Sequence, residues 1–498
     1  MNLQSISAHI DDFFWSQIMI YGCLATGVYF SIILKFPQVR LLKDMVAQLW
    51  GGKSSASGYS SFQTFSLALG GRVGTGNITG VASAIYFGGP GAVFWMWAIA
   101  FLGASSAFIE SSLSQVWKEE VGGEYRGGPA YYIEKGLKSR PLGMAFAILT
   151  IFGCGLALPS IQSNAFAQAA EHSFQCPAWL SGLVFSTLVG VIIFGGGRRI
   201  AKAAETIVPC MAAAYILLAV AILFAHADKI VGIFQLILSC AFNQNAAYGA
   251  VFGLAIQWGV KRGVFSNEAG QGTGAQASGS TEVSHPAKQG LVQAFSVYVD
   301  TLLVCTATAI MILSTNAYNV ADPAQNGKFL VHHLPQVEKS NFTQTAVDAV
   351  LPGAGGSFVA VALFLFTFTT VLAYAFYADS SMAYLFKKNS KSSTYRIGVI
   401  CTRLALVAMT FIGAVSSVDI VWNFGSASVG AMAWFNIVAI ILLSKPGLAI
   451  LKDYEAQKKM GLDPVFVPSR CGIQGAELWD SLAEKNYSKE LLALREKQ

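Results

Sequence analysis

Two glycine-rich stretches interrupt apolar segments and constrain what this chain can form. The first, Gly70–Asn77, lies inside the apolar segment Phe62–Tyr86, and the second, Gly263–Gly274, follows the apolar run Ala247–Val260. A glycine in a helix interior costs about 1 kcal/mol relative to alanine, so neither segment is predicted to stay one continuous helix. Within lipid, broken backbone is tolerated only where protein buries it or where it lines a cavity. The two breaks therefore predict exposed polar backbone at the centre of a helical membrane protein.

The composition indicates an integral membrane protein. Hydrophobic residues make up 54% of the 498 residues and charged residues only 12%, with a mean hydropathy of +0.52. Soluble domains carry about 25% charged residues. The net charge of +6 is small for this length, and its loop distribution suits membrane orientation rather than nucleic-acid binding. The polar N-terminus, with Asp11 and Asp12 and no basic region, predicts no cleaved signal peptide.

Apolar segments of about 20 residues, the length that crosses a bilayer, recur along the chain. We count about eleven, of which the second and the seventh contain the glycine-rich breaks. They lie near Ser16–Phe36, Phe62–Tyr86, Ala92–Trp117, Leu142–Ala170, Ala178–Phe194, Ala203–Ala225, Ala246–Gly274, Gln289–Ser314, Gly355–Phe386, Ile397–Val415 and Asp419–Leu443. The charged, partly helical stretch Lys452–Gln498 is interpreted as a solvated tail.

The basic residues in the loops predict the orientation, because cytoplasmic loops carry an excess of Lys and Arg. They concentrate in alternate loops and in the tail: Lys35, Arg40, Lys43 and Lys53; Lys118, Arg126, Lys135, Lys138 and Arg140; Arg198, Arg199 and Lys202; Lys387, Lys388, Lys391 and Arg396; Lys445, Lys452, Lys458 and Lys459. This pattern predicts a multi-pass protein of the inner cell membrane. Its N-terminus is expected outside and its C-terminus in the cytoplasm, in agreement with an odd number of spans.

The order of the spans predicts an inverted repeat. An extra first span leaves two sets of five, and each set opens with a broken helix. Because five is odd, the second set begins on the opposite side of the membrane. The predicted parts are an N-terminal helix and loop (1–61), a first repeat (62–225), a second repeat (226–443) and a tail (444–498). Paired interrupted helices of this kind point to the binding site of a secondary transporter.

The first break is the strongest candidate site. An unwound turn exposes N–H groups that favour a carboxylate and carbonyl oxygens that favour a cation. Within Gly74–Asn77, the side chains of Thr75 and Asn77 add further oxygens. Gly76 and Gly80 also have the GxxxG spacing of a close helix contact, so packing alone is the alternative interpretation.

Charged residues inside the apolar segments form a second group of candidates. Arg72 is costly in lipid, so it is expected to face a partner or water. Lys261, Arg262 and Glu268 flank the second break, where they are either gating charges or mark the entry of the chain into cytoplasmic water. Asp300 lies well inside the eighth segment. It is compatible with proton transfer, with a bound cation, or with an ion pair to Arg72 or Arg262, and we favour the ion pair.

Hydroxyl and amide groups mark two further segments. On a helix, the side chains of the adjacent residues Thr369 and Thr370 point about 100° apart, and both can still lie at the edges of the face that is turned toward the protein interior. Their oxygens suit a hard cation such as sodium, and hydrogen bonding to the preceding turn is the alternative. Gln162 lies in the middle of the fourth segment, where it is suited equally to contact a ligand or to bond another helix.

The sequence does not indicate an enzyme. The six histidines, His9, His172, His226, His285, His332 and His333, lie in loops or at segment ends, which argues against a catalytic dyad inside the membrane. No HExxH motif is present. Gly272–Ala277 matches the residue pattern of a dinucleotide-binding motif. That motif requires a preceding strand, which the sequence does not predict here, so we do not infer dinucleotide binding.

Several long motifs resemble those of the alanine/glycine:cation symporter family. They are Phe62–Phe65 with Leu69–Ile78, Gly127–Tyr132, Lys261–Gly270 and Val299–Thr301, and the resemblance extends from the first span to the eleventh. It implies the LeuT-like fold of the APC superfamily, with five-plus-five inverted helices. It also implies sodium-coupled uptake of a small neutral amino acid, usually alanine or glycine. The alternatives are a proton-coupled or glutamine-preferring carrier, and a sensor that binds without transporting.

The resemblance further implies which residues form the sites. The amino-acid pocket would comprise Thr75, Gly76, Asn77, Gln162 and Trp258. Sodium would be held by the carbonyl oxygens of Gly70 and Val73 and by the hydroxyls of Thr369 and Thr370. Arg72, Glu268 and Asp300 are candidates for gating or structural charges.

Overall fold

The computed structural model describes residues 3–325, 327–335 and 337–497, apart from the side chains of Ala246 and Ala247. The ends of the predicted N-terminal part and of the predicted tail, Met1 and Gln498, lie outside these ranges. The described chain is predominantly helical, and each predicted apolar segment coincides with helix. Within the described residues, eight helical stretches, some of them made of two consecutive helices, are long and apolar enough to cross a membrane, and Ala178–Ile193 is a shorter apolar helix.

The described residues of the first half of the chain form thirteen α-helices and one small hairpin. The helices are α1 (Leu3–Phe14), α2 (Gln17–Ile33), α3 (Pro37–Arg40), α4 (Leu42–Ala47), α5 (Ser61–Arg72), α6 (Val81–Gly88), α7 (Gly91–Val116), α8 (Pro129–Gly136), α9 (Arg140–Phe152), α10 (Leu158–Phe174), α11 (Ala178–Ile193), α12 (Gly197–Ala225) and α13 (Ile230–Ala241). Strands β1 (Glu119–Val121) and β2 (Glu124–Arg126) pair antiparallel, with Glu119 opposite Arg126. The sequence did not predict α13, because its 12 residues are too few for a span.

The described residues of the second half form eleven α-helices and a second hairpin. The helices are α14 (Phe252–Asn267), α15 (Thr273–Gly279), α16 (Pro286–Val297), α17 (Thr306–Ser314), α18 (Phe342–Asp348), α19 (Gly355–Leu385), α20 (Ser393–Val415), α21 (Val418–Leu442), α22 (Ser444–Lys459), α23 (Glu477–Asn486) and α24 (Ser488–Glu496). Strands β3 (Asn319–Ala321) and β4 (Phe329–His332) pair antiparallel. Widened π-helical turns occupy Gly76–Gly80, Gly153–Ala157 and Tyr298–Cys305.

Both predicted helix breaks are confirmed. The first helix leaves helical geometry at Val73, whose φ and ψ are −79° and 89°, and the widened turn then leads into α6. The second helix ends at Asn267 and resumes at Thr273. Between them, Gly270 and Gly272 have φ of +82° and +88°, which glycine adopts without steric cost.

The two broken helices run in opposite directions. Tyr59, just before α5, forms a backbone bridge with Thr281, just after α15, and its N–H donates to the carbonyl of Ser280 at 3.0 Å. The start of one broken helix and the end of the other therefore lie on the same face of the helix bundle. The rod Pro286–Ser314 is 29 residues long, about 43 Å, so its two ends lie on opposite faces. We call the face with residues 315–354 the loop face, and the face with residues 444–497 the tail face.

The interpretation of the tail as a solvated extension is wrong. Trp479 is fully buried, and its indole N–H donates to the carbonyl of Gln115 at the end of α7, at 2.9 Å. The N–H of Phe466 donates to the carbonyl of Ser284 at 2.8 Å. The tail packs because its aromatic side chains, which the charge-rich composition obscured, cover the ends of the membrane helices.

Candidate functional site

The two breaks meet inside the helix bundle. Arg72, the last residue of α5, donates its Nε–H to the carbonyl oxygen of Asn267, the last residue of α14, at 2.7 Å. Its Nη1 donates to Gln293 Oε1 at 2.9 Å and also contacts Ser296 Oγ. Arg72 is 1% exposed. The partner that was expected for the Arg72 charge is therefore a set of neutral oxygens, which includes the carbonyl of Asn267 and the side-chain amide of Gln293. Through Asn267, Arg72 connects the first break to the second.

Three predicted pocket residues lie together at the first break. Gln162 Oε1 accepts from the backbone N–H of Thr75 at 3.1 Å. Asn77 Oδ1 accepts from the backbone N–H of Gly74 at 2.9 Å. The Thr75 hydroxyl is buried and has no hydrogen-bond partner among residues 3–325, 327–335 and 337–497. The unwound turn thus offers N–H groups whose present acceptors are side-chain amides, and one unmatched hydroxyl.

Gly76 lies where the first broken helix crosses the second. A Cβ built on Gly76 would lie 3.0 Å from Ser266 Cα and 3.1 Å from Ser266 Cβ. A backbone atom cannot move aside as a flexible side chain can. The absence of a side chain at Gly76 therefore sets how closely the two broken helices approach, which supports the packing interpretation of this residue beside its place at the pocket.

Asp300 accepts hydrogen bonds from neutral donors. Asn77 Nδ2 donates to its Oδ1 at 2.7 Å, and Ser266 Oγ and Thr301 Oγ1 donate to its Oδ2 at 3.0 and 2.7 Å. The favoured ion pair with Arg72 or Arg262 is wrong, since no such pair occurs in the described part of the chain. The π-helical turn at Tyr298–Cys305 is the physical reason, because it shifts the helix phase and directs Asp300 toward the first break.

The predicted cation ligands are only partly assembled. The Thr370 hydroxyl lies 2.8 Å from the carbonyl oxygen of Gly70 and 3.2 Å from that of Val73. The hydroxyl of Thr369 instead donates to the carbonyls of Leu365 and Phe366 in its own helix, at 3.1 Å each. Thr370, Gly70 and Val73 thus form one oxygen cluster, although the Thr370 hydroxyl also lies 2.9 Å from the carbonyl oxygen of Phe366 in its own helix. Thr369 follows the alternative of bonding to the preceding turn and does not reach this cluster.

The charges near the second break do not mark entry into water on the tail face, so that alternative is wrong. Glu268 is fully buried, with a left-handed φ of 56°, at the end of α14. Lys261 forms an ion pair with Asp11 of α1 at 2.5 Å, and both are largely buried. The sequence gives no register between α1 and α14, so this pair could not be predicted.

Trp258 and Arg262 line a cavity to which Thr75, Asn77 and Gln162 do not contribute. This cavity of about 440 Å³ opens on the loop face, where Glu338 and Asp419 also line it. Trp258 stacks on Phe87, with ring centroids 4.3 Å apart. The structure therefore separates Trp258 from the other predicted pocket residues.

Sequence reasoning missed three residues next to the pocket. Ser266 and Thr301 bind the Asp300 carboxylate, and Asn267 receives Arg72. Both Ser266 and Thr301 are inside motifs that carried the family resemblance. The signal that could have identified them is a hydroxyl side chain next to a polar residue of the same motif, since Ser266 directly precedes Asn267 and Thr301 directly follows Asp300.

A profile of the Sodium:alanine symporter family matches residues 1–468. The chain belongs to this family. Its members are transporters, so the chain is a transporter and not an enzyme. YrbD from Bacillus subtilis (strain 168) is 51% identical over 97% of this chain and 98% of its own length.

Two further similarities extend the family assignment. A protein named "Sodium/proton-dependent alanine carrier protein", from Bacillus sp. (strain PS3), is 43% identical over 88% of this chain and 97% of its own. The crystal structure of MhsT in complex with L-phenylalanine superposes with a TM-score of 0.52 at 14% identity, covering 88% of this chain and 99% of that chain. The structural likeness supports the LeuT-like fold of this symporter-family member.

Proposed function

We propose that the protein couples inward movement of sodium to uptake of a small neutral amino acid, with alanine as the first candidate. The observation that carries this proposal is the pair of adjacent polar sites at the first break. One is the oxygen cluster of Thr370, Gly70 and Val73, and the other is the turn at Thr75. Because both sites use the same unwound backbone, binding of one ligand is expected to change the affinity for the other.

The amino acid would bind beside Thr75, Gly76 and Asn77. Its carboxylate would accept from N–H groups at the unwound turn, where half-helix N-termini favour negative charge. Gln162 and Asn77 now accept from the N–H groups of Thr75 and Gly74, so a carboxylate would replace these side-chain oxygens. The released amides would then contact the ligand. Trp258 would act from the loop-face cavity rather than from this pocket.

Sodium would be held by the carbonyls of Gly70 and Val73 and the hydroxyl of Thr370. These are hard oxygen ligands, which suit a small cation. Thr369 would join only after its hydroxyl leaves the carbonyls of Leu365 and Phe366. Sodium at this cluster would fix the first broken helix to α19 and so lower the ordering cost of amino-acid binding.

We propose eleven spans in a five-plus-five inverted repeat, with parts at 1–61, 62–225, 226–443 and 444–498. The opposite directions of the two broken helices, at Tyr59 and Thr281, support this arrangement. The charge distribution supports a tail face in the cytoplasm and an N-terminus outside the inner membrane. Alternating access would then rock one group of helices about the central site.

Uptake of labelled L-alanine into proteoliposomes tests the proposal. We expect accumulation above equilibrium with an imposed inward sodium gradient, and loss of it in Asn77→Ala. Accumulation driven by a proton gradient alone would replace sodium coupling with coupling through Asp300. Binding without accumulation under either gradient would favour a sensor, and accumulation of glutamine in preference to alanine would correct the substrate.

A further inference from the structure

A cavity of about 300 Å³ on the tail face is lined by three lysines and by no acidic side chain among the described residues. Lys135 lies near the end of α8, Lys138 lies in the link to α9, and Lys445 lies at the start of α22. The tail segment 471–474 forms a further wall. The tail-face cavity is therefore a basic recess between the membrane helices and the tail.

Two of these lysines carry charges that the protein does not neutralise. Lys135 is already paired, because its Nζ lies 2.8 Å from a carboxylate oxygen of Glu477 and 3.2 Å from one of Glu119. Lys138 and Lys445 are exposed, and neither forms an ion pair within the part of the chain that the structure describes. The tail-face cavity thus retains two positive charges that are available to an anion.

The first turn of α22 adds a partial positive charge to the same cavity. Lys445 and Pro446 belong to this turn, and both line the cavity. The N-cap position is occupied by Leu443, whose apolar side chain cannot accept a hydrogen bond from the helix. A helix N-terminus favours negative charge, and its N–H groups suit phosphate oxygens. The helix end and the two lysines therefore favour the same class of ligand, a phosphate.

The tail-face cavity lies at the level where two membrane helices end. Leu142, in the first turn of α9, is 49% exposed, and Leu442, the last residue of α21, is 63% exposed. Apolar side chains that are exposed on spanning helices face the hydrocarbon of the bilayer. Lys138 precedes Leu142 by four residues, and Lys445 follows Leu442 by three. Their ammonium groups therefore lie at the depth of the lipid headgroups, which lysines at helix ends reach readily.

We propose that the tail-face cavity binds the phosphodiester headgroup of an anionic phospholipid, with Lys138 and Lys445 on the phosphate and the acyl chains along α9 and α21. Basic pockets between membrane helices are known sites for anionic headgroups. A soluble phosphate ester has the same charged group, but it leaves the apolar side chains beside the cavity without a partner. A zwitterionic headgroup brings a further cation to a cavity that is already positive. The proposal does not depend on amino-acid transport.

Native mass spectrometry of the full-length protein, titrated with phosphatidylglycerol in detergent micelles, tests the site. We expect Lys138→Gln with Lys445→Gln to weaken binding of the first phosphatidylglycerol molecule at least fivefold. Lys388→Gln with Lys391→Gln is the matched control, since these exposed lysines follow α19 and do not line the cavity. The control pair should weaken binding less than twofold. Equal weakening by the two pairs would show that only the general positive charge matters, and would overturn the proposal.

The chemistry of the ligand is tested with phosphatidylcholine and with glycerol 3-phosphate. Phosphatidylcholine should bind the wild type at least fivefold more weakly than phosphatidylglycerol, and equal binding would show that the acyl chains alone hold the lipid. Displacement of phosphatidylglycerol by an equal concentration of glycerol 3-phosphate would make the cavity a site for a soluble phosphate ester. Either result would overturn the proposal. Size-exclusion profiles and retained α-helical circular dichroism establish that each variant is folded.

The position of the lipid is tested by hydrogen exchange in nanodiscs of phosphatidylcholine with and without phosphatidylglycerol. Because the segment 471–474 forms one wall, a bound headgroup joins the tail to the membrane helices. Phosphatidylglycerol should therefore increase the protection of this segment in the wild type and in the control pair, but not in Lys138→Gln with Lys445→Gln. Unchanged protection in the wild type would place the lipid elsewhere and overturn the proposal.

Discussion

Thr369 and Thr370 show that two adjacent residues of one type can serve different purposes. The Thr370 hydroxyl contacts the carbonyls of Gly70 and Val73 across a helix interface as well as that of Phe366 in its own helix. The Thr369 hydroxyl contacts the carbonyls of Leu365 and Phe366 in its own helix and neither Gly70 nor Val73. We therefore expect Thr370→Ala to raise the sodium concentration for half-maximal uptake more than tenfold. Thr369→Ala should change it less than threefold, because the Thr369 hydroxyl does not lie beside the carbonyls of Gly70 and Val73.

The measurement is sodium activation of alanine uptake in proteoliposomes. Thr367→Ala is the control for loss of a threonine hydroxyl in the same helix, since Thr367 bonds to Leu363 at 2.8 Å within α19. Equal sodium shifts for Thr369→Ala and Thr370→Ala would show that both hydroxyls bind the ion, in contradiction of the structural distinction.

Asp300 is expected to be needed as a charged acceptor and not merely as a polar side chain. Asparagine has the same shape, but its single NH2 would face either Asn77, which donates to Oδ1, or Thr301, which donates to Oδ2, so one side would lose its acceptor. Hydrogen bonds to a charged group contribute about 1.5–3 kcal/mol each. Asp300→Asn should therefore lower sodium-driven alanine uptake at least tenfold. Asp348→Asn on the loop face, which can still accept from Gly356, is the control, and equal uptake by both variants would refute this role.

At the scale of residues, the sequence predicted the pocket better than it predicted the partners of the charges. Thr75, Asn77 and Gln162 were expected at the site, and the structure brings them together. Their proximity depends on one break, which glycine spacing makes visible. The partners of Asp300 depend on helix phase, which the π-helical turn shifts and which no local pattern reveals.

At the scale of helices, alanine substitution is predicted to have different effects at Gly76 and Gly80, the two glycines of the GxxxG spacing at the first break. A Cβ on Gly76 would meet the backbone of Ser266 at 3.0 Å, while a Cβ on Gly80 would find its nearest neighbour at 3.6 Å. Overpacking typically costs 1–3 kcal/mol. We expect Gly76→Ala to lower the thermal unfolding temperature by several degrees and to impair uptake. Gly80→Ala should fit and retain uptake, and an equal loss in both variants would contradict the crossing geometry.

The helices themselves were predictable because apolar segments of span length leave few alternatives in lipid. The bounds of α19, Gly355–Leu385, agree with the predicted Gly355–Phe386 within one residue. The short helix α13 and the widened turns were not predictable. The first is shorter than a span, and the widened turns arise from packing between helices rather than from composition.

At the scale of the whole molecule, the tail is an integral layer on the tail face. Arg470 Nε donates to Asp453 Oδ1 at 3.0 Å, and His285 Nε2 lies 3.3 Å from Asp453 Oδ2. Lys288 reaches Asp463 at 2.5 Å. These contacts join α22 and the segment after it to the start of α16. They could not be predicted, because they depend on which loop the tail meets.

Docking of the tail is predicted to weaken in acid. Burial lowers the pKa of His285 below its ordinary value of 6.5, although the hydrogen bond with Asp453 opposes this shift. Burial tends to raise the pKa of Asp453, but His285 and Arg470 outweigh it and leave that pKa below its usual value of 3.8. Both groups therefore bind protons more readily when the tail is undocked. Protons therefore favour the undocked state, and the free energy of docking becomes less favourable as the pH falls. The loss begins below about pH 6.5, where the imidazole of His285 becomes protonated in the undocked state.

Hydrogen exchange of residues 463–497, corrected for the intrinsic pH dependence of exchange, measures this effect between pH 5 and 7.5. We expect less protection at pH 5 in the wild type, and a flatter profile in His285→Asn. Asparagine is a good helix N-cap, so this variant can retain the cap that His285 provides to Ala287 while it removes the titrating imidazole. His333→Asn, on the loop face, is the control and should follow the wild type. A wild-type profile without pH dependence would show that the tail is held by its buried aromatic side chains alone.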